Sequence, residues 1–434
     1  MYAQVAVENV NCTFDKDYDY SISQQLEGKA LVGCRVAVPF GIGNRKRIGI
    51  ITRLTDSTQG KRIKSISAVL DEAPLLSNEM MSLARWISEQ TFCTYYEAVK
   101  AMLPAGINHK IIRSFCAVPG VDESVIALLD SDEKQVYDYL LSRSGYVKPE
   151  NFLKTLGFDV SSDIPERLLE AGLLAANDDA VRNIGDNNIR MVRLCEGSDD
   201  VSMTKKQSEV VNVLKDVGSV SVKELCYFTG YTPSVISALE KKGVVECFER
   251  EELRSFVSRY AVQSAYDSGE IHLTDEQQKA YDGLLEDYKS GTGKTALLYG
   301  VTGSGKTSVY LKLIDAVLAD NKTVIVMVPE ISLTPQTLSV FHSRYNDGVA
   351  VFHSALSAGE RADEWKRVKN GDAKIVIGTR SAVFAPLENI GLIIIDEEQE
   401  HTYKSEQTPR YNAKNVARYR AAWHKGLTLL ASAT

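Results

Sequence analysis

The most constraining feature of the sequence is the segment 300–307, which reads Gly-Val-Thr-Gly-Ser-Gly-Lys-Thr. An apolar, strand-like run, ALLY, precedes it, and a helical run, SVYLKLIDAVLAD, follows it. This order of strand, glycine-rich loop and helix is typical of a phosphate-binding loop, in which backbone amides and the helix N-terminus surround the phosphates of a nucleotide. The predicted nucleotide contacts are Gly300, Thr302, Gly303, Ser304, Gly305, Lys306 and Thr307.

A second Gly-Lys-Thr lies just upstream, at 293–295. Alignment with the loop pattern puts Tyr288 where the opening glycine should stand, and an apolar strand rather than a helix follows Lys294. A loop without its glycine and without a helix N-terminus lacks the groups that bind phosphate. We therefore predict that this copy is a surface turn between a helix and the first strand.

An acidic pair, Asp396 and Glu397, ends the apolar run LIIID. At the carboxyl end of a strand beside a phosphate loop, Asp396 is predicted to share a Mg²⁺ ion with Thr307, and Glu397 to activate the attacking water. Lys306 is predicted to pair with the β- and γ-phosphates, which makes Lys306, Asp396 and Glu397 the expected catalytic residues. The runs ALLYG, TVIVMVP, KIVIGT and LIIID alternate with helical stretches, which predicts an α/β P-loop (RecA-like) domain over 270–434 with a parallel sheet.

Residues 1–110 have a different pattern, in which short β-rich runs alternate with turns before a helical segment at 77–92. We interpret this as a small β-barrel-like domain closed by a helix. Between residues 41 and 64 it carries seven Arg or Lys against one Asp, although the whole chain has a net charge of −7. Such a run is either a solvated face or a surface that binds phosphates.

Residues 120–255 are α-rich and contain two similar segments, one starting at DEKQVYDYLL and the other at TKKQSEVVNVL. Each reads as three short helices and a β-rich tail, which predicts two winged-helix repeats. Such units bind DNA through a recognition helix, act as spacers or dock proteins. Neither copy has a basic recognition helix, so all three alternatives stay open.

Seven scattered cysteines without a Cys-x-x-Cys pair argue against a metal cluster and a disulfide framework, and fit buried thiols in a reducing compartment. The N-terminus has no basic region followed by an apolar one, and no apolar run approaches the ~18 residues of a spanning helix. These features predict a cytoplasmic protein without a membrane partner.

Further blocks resemble those of superfamily 2 helicases. LTDEQQKA resembles the adenine-recognising block, with Gln277 as its glutamine. VPEISLTPQT and GTRSAVFAPL, which contains Arg380, resemble the two strand-end blocks that contact the DNA backbone. The closing SAT, with Ser432 and Thr434, resembles the block that couples hydrolysis to strand movement.

The resemblance is closer to the primosomal replication-restart helicases, the PriA family. It rests on GVTGSGKTSVYL, VIGTRSAVFAPL and IDEEQEHTYKSEQTPRYNAKNVARYRA. The last of these resembles the aromatic-rich loop of the family, in which aromatic and cationic side chains contact DNA bases and phosphates. The implied DNA contacts are Tyr403, Lys404, Arg410 and Tyr411. Gln399 stands where the family usually has His, and implies altered coupling rather than lost activity.

YDYSIS, GCRVAVPFG and RIGII resemble the domain of the same family that captures the 3′ end of a nascent leading strand. The resemblance implies a pocket in which Tyr18 stacks on the terminal base, Asp19 accepts a hydrogen bond from the 3′ hydroxyl and Lys64 meets a phosphate. The nearby run Arg45 to Arg47 is expected to add affinity without preference for an end.

The resemblance implies an ATP-dependent 3′-to-5′ DNA helicase that acts at stalled replication forks and starts primosome assembly with ATP and Mg²⁺. Its implied partners are forks with a 3′-hydroxyl leading-strand end, other primosome proteins and single-stranded DNA-binding protein. The chain ends on the coupling block, so the second lobe with its arginines, and the zinc-binding cysteines, are expected in a C-terminal half. We therefore expect fork and ATP binding without efficient hydrolysis. The alternatives are a non-catalytic fork-binding or primosome-loading scaffold, and another superfamily 2 motor.

Overall fold

The structure, a computed structural model, describes residues 1–41, 43–58, 60, 62–182, 188–195, 202–251, 271–301 and 303–433. The predicted site residues Thr302 and Thr434 lie outside these ranges. The chain forms two compact units, one of residues 1–183 with 260–434 and one of residues 184–259.

The first unit begins with a six-stranded sheet in the order β5-β2-β1-β4-β3-β6. Its strands are β1 Tyr2–Val7, β2 Tyr18–Ser21, β3 Arg35–Phe40, β4 Arg45–Thr55, β5 Lys64–Ser65 and β6 Ala68–Val69. The edge strands β5 and β6 are joined by two consecutive residues, and Ile66 N donates to Ser21 O while Ser67 N donates to Ala37 O. Neighbouring residues thus pair with opposite ends of the sheet, so the sheet curls until its ends meet.

Two helices follow, α1 Asn78–Thr91 and α2 Tyr95–Met102. The hydroxyl of Ser77 caps α1, and Thr94 and Glu97 form a reciprocal capping box at α2. Their apolar faces, including Leu83, share one continuous core with Phe384 of the C-terminal region. The helix predicted at 77–92 is confirmed, and it attaches the N-terminal sheet to the rest of the unit.

The next elements are β7 His109–Ala117, α3 Glu123–Ile126, α4 Ser131–Leu141, α5 Pro149–Leu156, α6 Ile164–Glu170 and β8 Leu174–Arg182. β7 and β8 pair antiparallel along their whole length. The helices α4 to α6 cover one face of this ribbon around a core that includes Phe115, Tyr137 and Phe152.

The second unit, like residues 109–182, is built from antiparallel strands and short helices. It contains β9 Asn188–Leu194, α7 Lys205–Val217, β10 Ser219–Ser221, α8 Val222–Thr229, α9 Pro233–Lys241 and β11 Val245–Glu251. An antiparallel sheet in the order β10-β9-β11 lies against three helices, with Val192, Leu214 and Leu225 in the core.

The C-terminal part of the first unit is a six-stranded sheet in the order β12-β17-β16-β13-β15-β14. All of its paired strands are parallel, as the sequence predicts. The elements are α10 Asp275–Lys289, β12 Thr295–Tyr299, α11 Lys306–Ala319, β13 Thr323–Met327, α12 Pro335–Tyr345, β14 Val349–Phe352, α13 Ala358–Lys369, β15 Ile375–Gly378, β16 Ile390–Ile395, α14 Ala413–His424 and β17 Leu427–Ser432. Because the strands are parallel, the segments that follow them gather at one edge of the sheet.

All seven cysteines are free thiols. Within the described ranges, no helix combines the length and the apolar character that crossing a membrane requires.

Candidate nucleotide site and DNA-contacting surfaces

The phosphate loop lies between β12 and α11, as predicted. Gly303 and Gly305 have φ values of +81° and +78°, so the loop turns through backbone conformations that favour glycine. The ammonium of Lys306 donates to the carbonyls of Gly300 at 2.6 Å and Val301 at 3.3 Å. The cation therefore lies across the loop.

Gln277, the predicted adenine contact, is tied to the same loop. Its side-chain oxygen accepts from Thr274 N at 3.0 Å, which caps α10, and its amide nitrogen donates to Ser304 O at 2.8 Å. A Cβ at Gly305 would lie 2.4 Å from that amide nitrogen. The glutamine thus occupies the space that the glycine leaves free, and joins α10 to the loop.

The acidic pair follows β16, where Asp396 N donates to Met327 O of the neighbouring strand at 2.9 Å. Burial raises the pKa of Asp396, and the charge of Lys306 partly opposes this shift. Glu397 has a φ of +45°, an uncommon conformation for a residue other than glycine. This turn places two carboxyl groups of different environment at the carboxyl end of the sheet.

The residues present fit a Mg²⁺ ion with its preference for oxygen ligands. Thr307 supplies a hydroxyl at the start of α11, where its Oγ1 lies 3.3 Å from the hydroxyl of Tyr310. Asp396 supplies a carboxylate whose ionised form the ion would favour against the effect of burial. Bound there, Mg²⁺ would neutralise charge on the phosphates of the nucleotide.

Three side chains form a hydrogen-bonded chain between β17 and the acidic pair. The hydroxyl of Ser432 donates to Gln399 Oε1 at 3.0 Å, and Gln399 Nε2 donates to Glu397 Oε2 at 2.7 Å. The backbone extends the chain, because Gly300 N donates to Ser432 O at 3.2 Å. Both the oxygen and the nitrogen of the Gln399 amide are engaged, so this residue joins the SAT segment to the acidic pair.

Among the described residues, the first Gly-Lys-Thr shares none of these contacts. Lys294 pairs with the carboxylate of Asp287 on α10 at 2.6 Å, and the strand β12 begins at the next residue. The prediction of a surface turn between a helix and the first strand is confirmed.

A cavity of about 510 Å³ lies beyond the carboxyl ends of β13, β14 and β15. The structure brings three of the predicted DNA contacts together in its wall: Arg380, Lys404 and Tyr411. Arg380 donates to Lys404 O at 2.6 Å, and its guanidinium lies 5.9 Å from the centre of the Tyr411 ring. Arg410 is exposed and does not line the cavity.

The position of Tyr403 does not support the predicted base-stacking role. Its side chain is only 1% exposed, and its hydroxyl lies 2.6 Å from Asp396 O and 3.2 Å from Met327 O. A ring enclosed in this way has no free face for a base. Tyr403 instead joins the aromatic-rich loop to the ends of β13 and β16.

Sequence reasoning did not identify His353 and Arg361, which also line the 510 Å³ cavity. His353 directly follows the buried strand β14, so its position at a strand end is the signal that could have identified it. It also missed Arg420, which is fully buried and binds Glu79 of α1 at 2.9 and 3.0 Å and three backbone carbonyls. No local sequence signal distinguishes that arginine from an exposed one.

The three residues of the predicted 3′-end pocket have separate partners. The Tyr18 hydroxyl donates to Phe14 O at 2.9 Å, Asp19 accepts from the Thr58 hydroxyl at 2.6 Å, and Lys64 donates to Gly41 O at 2.6 Å. Because side chains alternate along a strand, Tyr18 and Asp19 point to opposite faces of β2. No hydrogen bond or ring contact joins the three to one another in the part of the chain that the structure describes.

Two protein families match this architecture. The 3′ DNA-binding domain of PriA (3′BD) matches residues 4–104, and the DEAD/DEAH box helicase family matches residues 274–434. The replication restart protein PriA of Bacillus subtilis (strain 168) is 35% identical over 100% of this chain and 53% of its own length. That of Synechocystis sp. is 32% identical over 96% of this chain and 50% of its own length.

Among solved structures, the Pyrococcus furiosus Hef helicase domain matches with a TM-score of 0.28 and 18% identity over 37% of this chain and 32% of that chain. This similarity is too low to support a conclusion about the fold. The chain spans about half the length of the curated relatives that it matches. The helicase match implies the use of a nucleotide and Mg²⁺ in general. The two family matches and the full-chain identities together show that the chain belongs to the PriA family of replication restart proteins, of which it corresponds to the N-terminal part.

Proposed function

We propose that the chain is the fork-binding part and one motor lobe of an ATP-dependent 3′-to-5′ DNA helicase that restarts stalled replication forks. The observation that carries the motor proposal is the hydrogen-bonded chain from Ser432 through Gln399 to Glu397. It links the coupling block to the carboxylate proposed to activate water, next to a loop that fits a nucleotide. A shift of β17 during DNA movement would thus reach Glu397 through two hydrogen bonds.

In the proposed mechanism, Lys306 exchanges the loop carbonyls for the β- and γ-phosphates of ATP, and Gln277 binds the adenine. Thr307 and Asp396 hold Mg²⁺, and Glu397 orients the water and accepts its proton. Arg380, Lys404 and Tyr411 contact DNA from the strand-end cavity, and Arg410 adds a phosphate contact from the exposed surface. Tyr403 joins that surface to the Asp396 backbone, and Thr434 acts with Ser432 in coupling.

We propose three domains: a 3′-end-binding β domain over 1–110 with a barrel-like sheet, two winged-helix repeats over 120–255, and a RecA-like lobe over 270–434. In the first domain, Asp19 keeps lone pairs for a 3′ hydroxyl beside its bonds from Thr58 and Gln4. Tyr18 and Lys64 are proposed to contact the terminal base and phosphate. The proposed partners are forks, other primosome proteins and single-stranded DNA-binding protein. The proposed location is the cytoplasm, where bacterial chromosomes are copied.

The experiment that tests this function compares two forks whose leading strands end in a 3′ hydroxyl or a 3′ phosphate. We expect tighter binding of the hydroxyl fork by fluorescence anisotropy, since a carboxylate accepts from a hydroxyl but repels a phosphate. Asp19→Ala should remove most of the difference, about 1–3 kcal/mol if a hydrogen bond to a charged group is lost. Asp56→Ala, which removes an exposed carboxylate near the same sheet, is the matched control.

A second measurement addresses the motor. We expect the 434 residues by themselves to bind ATP while DNA-stimulated hydrolysis stays near background. In such enzymes an arginine that stabilises the transferred phosphate contributes about 10³- to 10⁵-fold to the rate. The resemblance implies that this arginine belongs to the second lobe. Robust stimulated hydrolysis would contradict the one-lobe proposal. Fork binding that never responds to ATP would favour the scaffold alternative, and equal binding of both forks would overturn the end pocket.

A further inference from the structure

A groove with a volume of about 620 Å³ lies between the N-terminal sheet, α2 and the β7–β8 ribbon. We call it the basic groove. Its wall carries six Arg or Lys side chains against three Asp or Glu, in a chain whose net charge is −7. The six cations are Arg45, Lys46 and Arg47 of β4, Lys100 of α2, and Lys110 and Arg113 of β7. Lys110 and Arg113 lie outside the residues 4–104 that match the 3′ DNA-binding domain, and Lys100 lies in the last turn of α2, close to the end of that range.

Three of these cations are held by contacts within the wall, and one of them, Arg47, donates to Asn9 O at 2.9 Å. Asp178 of β8 binds Arg113 through two hydrogen bonds, at 2.8 and 3.0 Å, and accepts from Lys46 N at 3.2 Å. Lys46 Nζ in turn donates to Asp178 O at 2.8 Å. Burial opposes the charge of Asp178, but the bonds from Arg113 and Lys46 lower its pKa, so the carboxylate stays ionised. This cluster fixes β4 of the sheet against the β7–β8 ribbon.

The other cations are free to bind a ligand. Arg45, Lys100 and Lys110 are exposed, and none of them has a hydrogen-bond or ion-pair partner among the residues that the structure describes. They stand on three different elements around the groove. The charge of Lys100 acts on Glu8 in the same wall, where it opposes the rise in the Glu8 pKa that burial causes. With six cations against three carboxylates, the wall keeps an excess of positive charge, which makes an anion the favoured ligand.

Arg47 relates the groove to Tyr18 of the proposed end pocket through one ring. Its guanidinium lies 4.7 Å from the centre of the Phe40 ring, and that ring lies 5.0 Å from the ring of Tyr18 in an edge-to-face contact. Arg47 therefore lines the groove and is separated from Tyr18 by Phe40 alone. A strand whose end lay at Tyr18 would have a cation of the basic groove nearby.

We propose that the basic groove binds the phosphodiester backbone of the nucleic acid whose 3′ end the N-terminal domain holds, with Lys100 and Lys110 as its main phosphate contacts. The proposal rests on the proposed DNA binding of the chain but not on end recognition. Among the described residues, the wall carries six cations but few rings, Tyr96 and the imidazole of His109, so it suits phosphates rather than stacked bases. Through β7, the groove would thus bring the β7–β8 ribbon, which carries α4 to α6, into contact with DNA.

The test uses the whole chain and the double variant Lys100→Gln/Lys110→Gln. Its matched control is Lys134→Gln/Lys154→Gln, which removes the same charge from exposed positions of α4 and α5 outside the groove. Binding to labelled single-stranded DNA, duplex DNA and the two forks is measured by anisotropy between about 50 and 300 mM salt. Lys100→Arg/Lys110→Arg keeps the charge and serves as the rescue variant.

We expect the groove variant to bind about 5- to 25-fold more weakly at low salt, since each exposed ion pair contributes a factor of up to about five. The dependence of log affinity on log salt should flatten by roughly 1.4 to 1.8, the value for two lost phosphate contacts. The ratio between the 3′-hydroxyl and 3′-phosphate forks should stay unchanged, and the arginine variant should restore both affinity and slope.

Loss on the duplex and forks alone would assign the groove to duplex backbone, and loss on single strands as well would assign it to one strand; both outcomes support the proposal. A loss no greater than that of the control, or an unchanged salt slope, overturns it. A loss confined to the 3′-hydroxyl fork also overturns it, because the lysines would then read the end. Equal binding of both forks by the wild type rejects the end pocket and leaves the slope comparison to decide the groove.

Discussion

The two Gly-Lys-Thr segments differ less in their loops than in what surrounds them. Gly291 and Gly293 have φ values of +60° and +69°, and Gly303 and Gly305 have +81° and +78°. Both copies therefore use positive-φ glycines at the same two positions before the lysine. What differs is the next element, a strand at Thr295–Tyr299 in the first copy and a helix at Lys306–Ala319 in the second.

This difference decides where each lysine can act. A helix start offers unpaired backbone amides and a positive dipole end, whereas the amides of a paired strand are already used. Lys306 accordingly turns towards the loop carbonyls of Gly300 and Val301, and Lys294 turns away to Asp287. The following element, a helix or a strand, is therefore the reason why only the second segment is proposed to bind phosphate.

Substitution of the two lysines should give the largest difference in ATP affinity between the two segments. We expect Lys306→Ala to weaken ATP binding about 10- to 150-fold, the equivalent of one hydrogen bond to a charged group. Lys294→Ala should bind ATP like the wild type, because its ammonium contacts only Asp287 among the described residues. Titration with a fluorescent ATP analogue measures both, and equal losses would show that the wrong loop was chosen.

Substitution of the glycine before each lysine separates an effect on ATP binding from an effect on the stability of the fold. In Gly305→Ala the new methyl would meet the end of the flexible Gln277 side chain at 2.4 Å, so Gln277 should move and ATP binding should weaken. In Gly293→Ala it would meet the backbone Cα of Ala422 in α14 at 2.8 Å, which has no room to move.

We therefore expect Gly293→Ala to destabilise the fold by about 1–3 kcal/mol while the folded protein keeps its ATP affinity. Gly305→Ala should show the larger loss of ATP affinity and the smaller loss of stability. Urea unfolding and nucleotide titration on both variants give the four values needed. If Gly293→Ala lost ATP affinity without losing stability, the first loop would have a nucleotide role after all.

A smaller effect is expected at the glutamine that binds the second loop. Gln277→Ala removes the bond to Ser304 O, and it should weaken ATP binding about 2- to 12-fold, the value of a neutral hydrogen bond. The adjacent Gln278 bonds to the exposed Asp282 on the same helix and gives the matched control, Gln278→Ala. Equal affinities for the two variants would mean that α10 caps itself without affecting the nucleotide.

How much of this was predictable depends on whether the signal is contiguous in the chain. The phosphate loop, its strand and its helix could be predicted because each is encoded by one short run of residues. The parallel sheet could be predicted because its strands are contiguous apolar runs that alternate with helical stretches. The salt bridge between Arg420 and Glu79 could not, since the partners are 341 positions apart and an arginine in a helix is usually exposed.

Three site residues were assigned from the resemblance without regard to how their side chains are oriented or packed. Tyr403 lies in a loop rich in aromatic and charged residues, which favoured a DNA contact, but its burial against Met327 and Asp396 depends on tertiary packing. For Tyr18 and Asp19 the missing step was elementary, because adjacent residues in a strand face opposite sides of a sheet. The alternation was readable in the sequence, and it places the two side chains of the proposed pocket on different faces of β2.

The smallest expected effect concerns the pair of the first loop, Lys294 and Asp287. The hydrogen bond and charge of Asp287 raise the pKa of Lys294 above its ordinary value of 10.5. A lysine whose pKa is higher in the folded state stabilises the fold below its unfolded pKa, and this contribution is lost as the pH rises through the folded value. Asp287→Asn should therefore lower Tm slightly, by about 1–2 °C, near neutral pH and low salt.

The difference in Tm between wild type and Asp287→Asn should shrink as the pH rises above the ordinary lysine pKa of 10.5 and disappear once the lysine of the folded state is neutral too. It should also disappear in about 1 M salt, where exposed charges are screened. ATP affinity should be the same in both proteins at every pH at which they are folded, because the pair lies outside the nucleotide contacts. Differential scanning fluorimetry with and without ATP measures both quantities. A loss of ATP-induced stabilisation in Asp287→Asn would mean that the first Gly-Lys-Thr reaches the nucleotide, and the distinction between a helix and a strand after the lysine would no longer explain which copy binds.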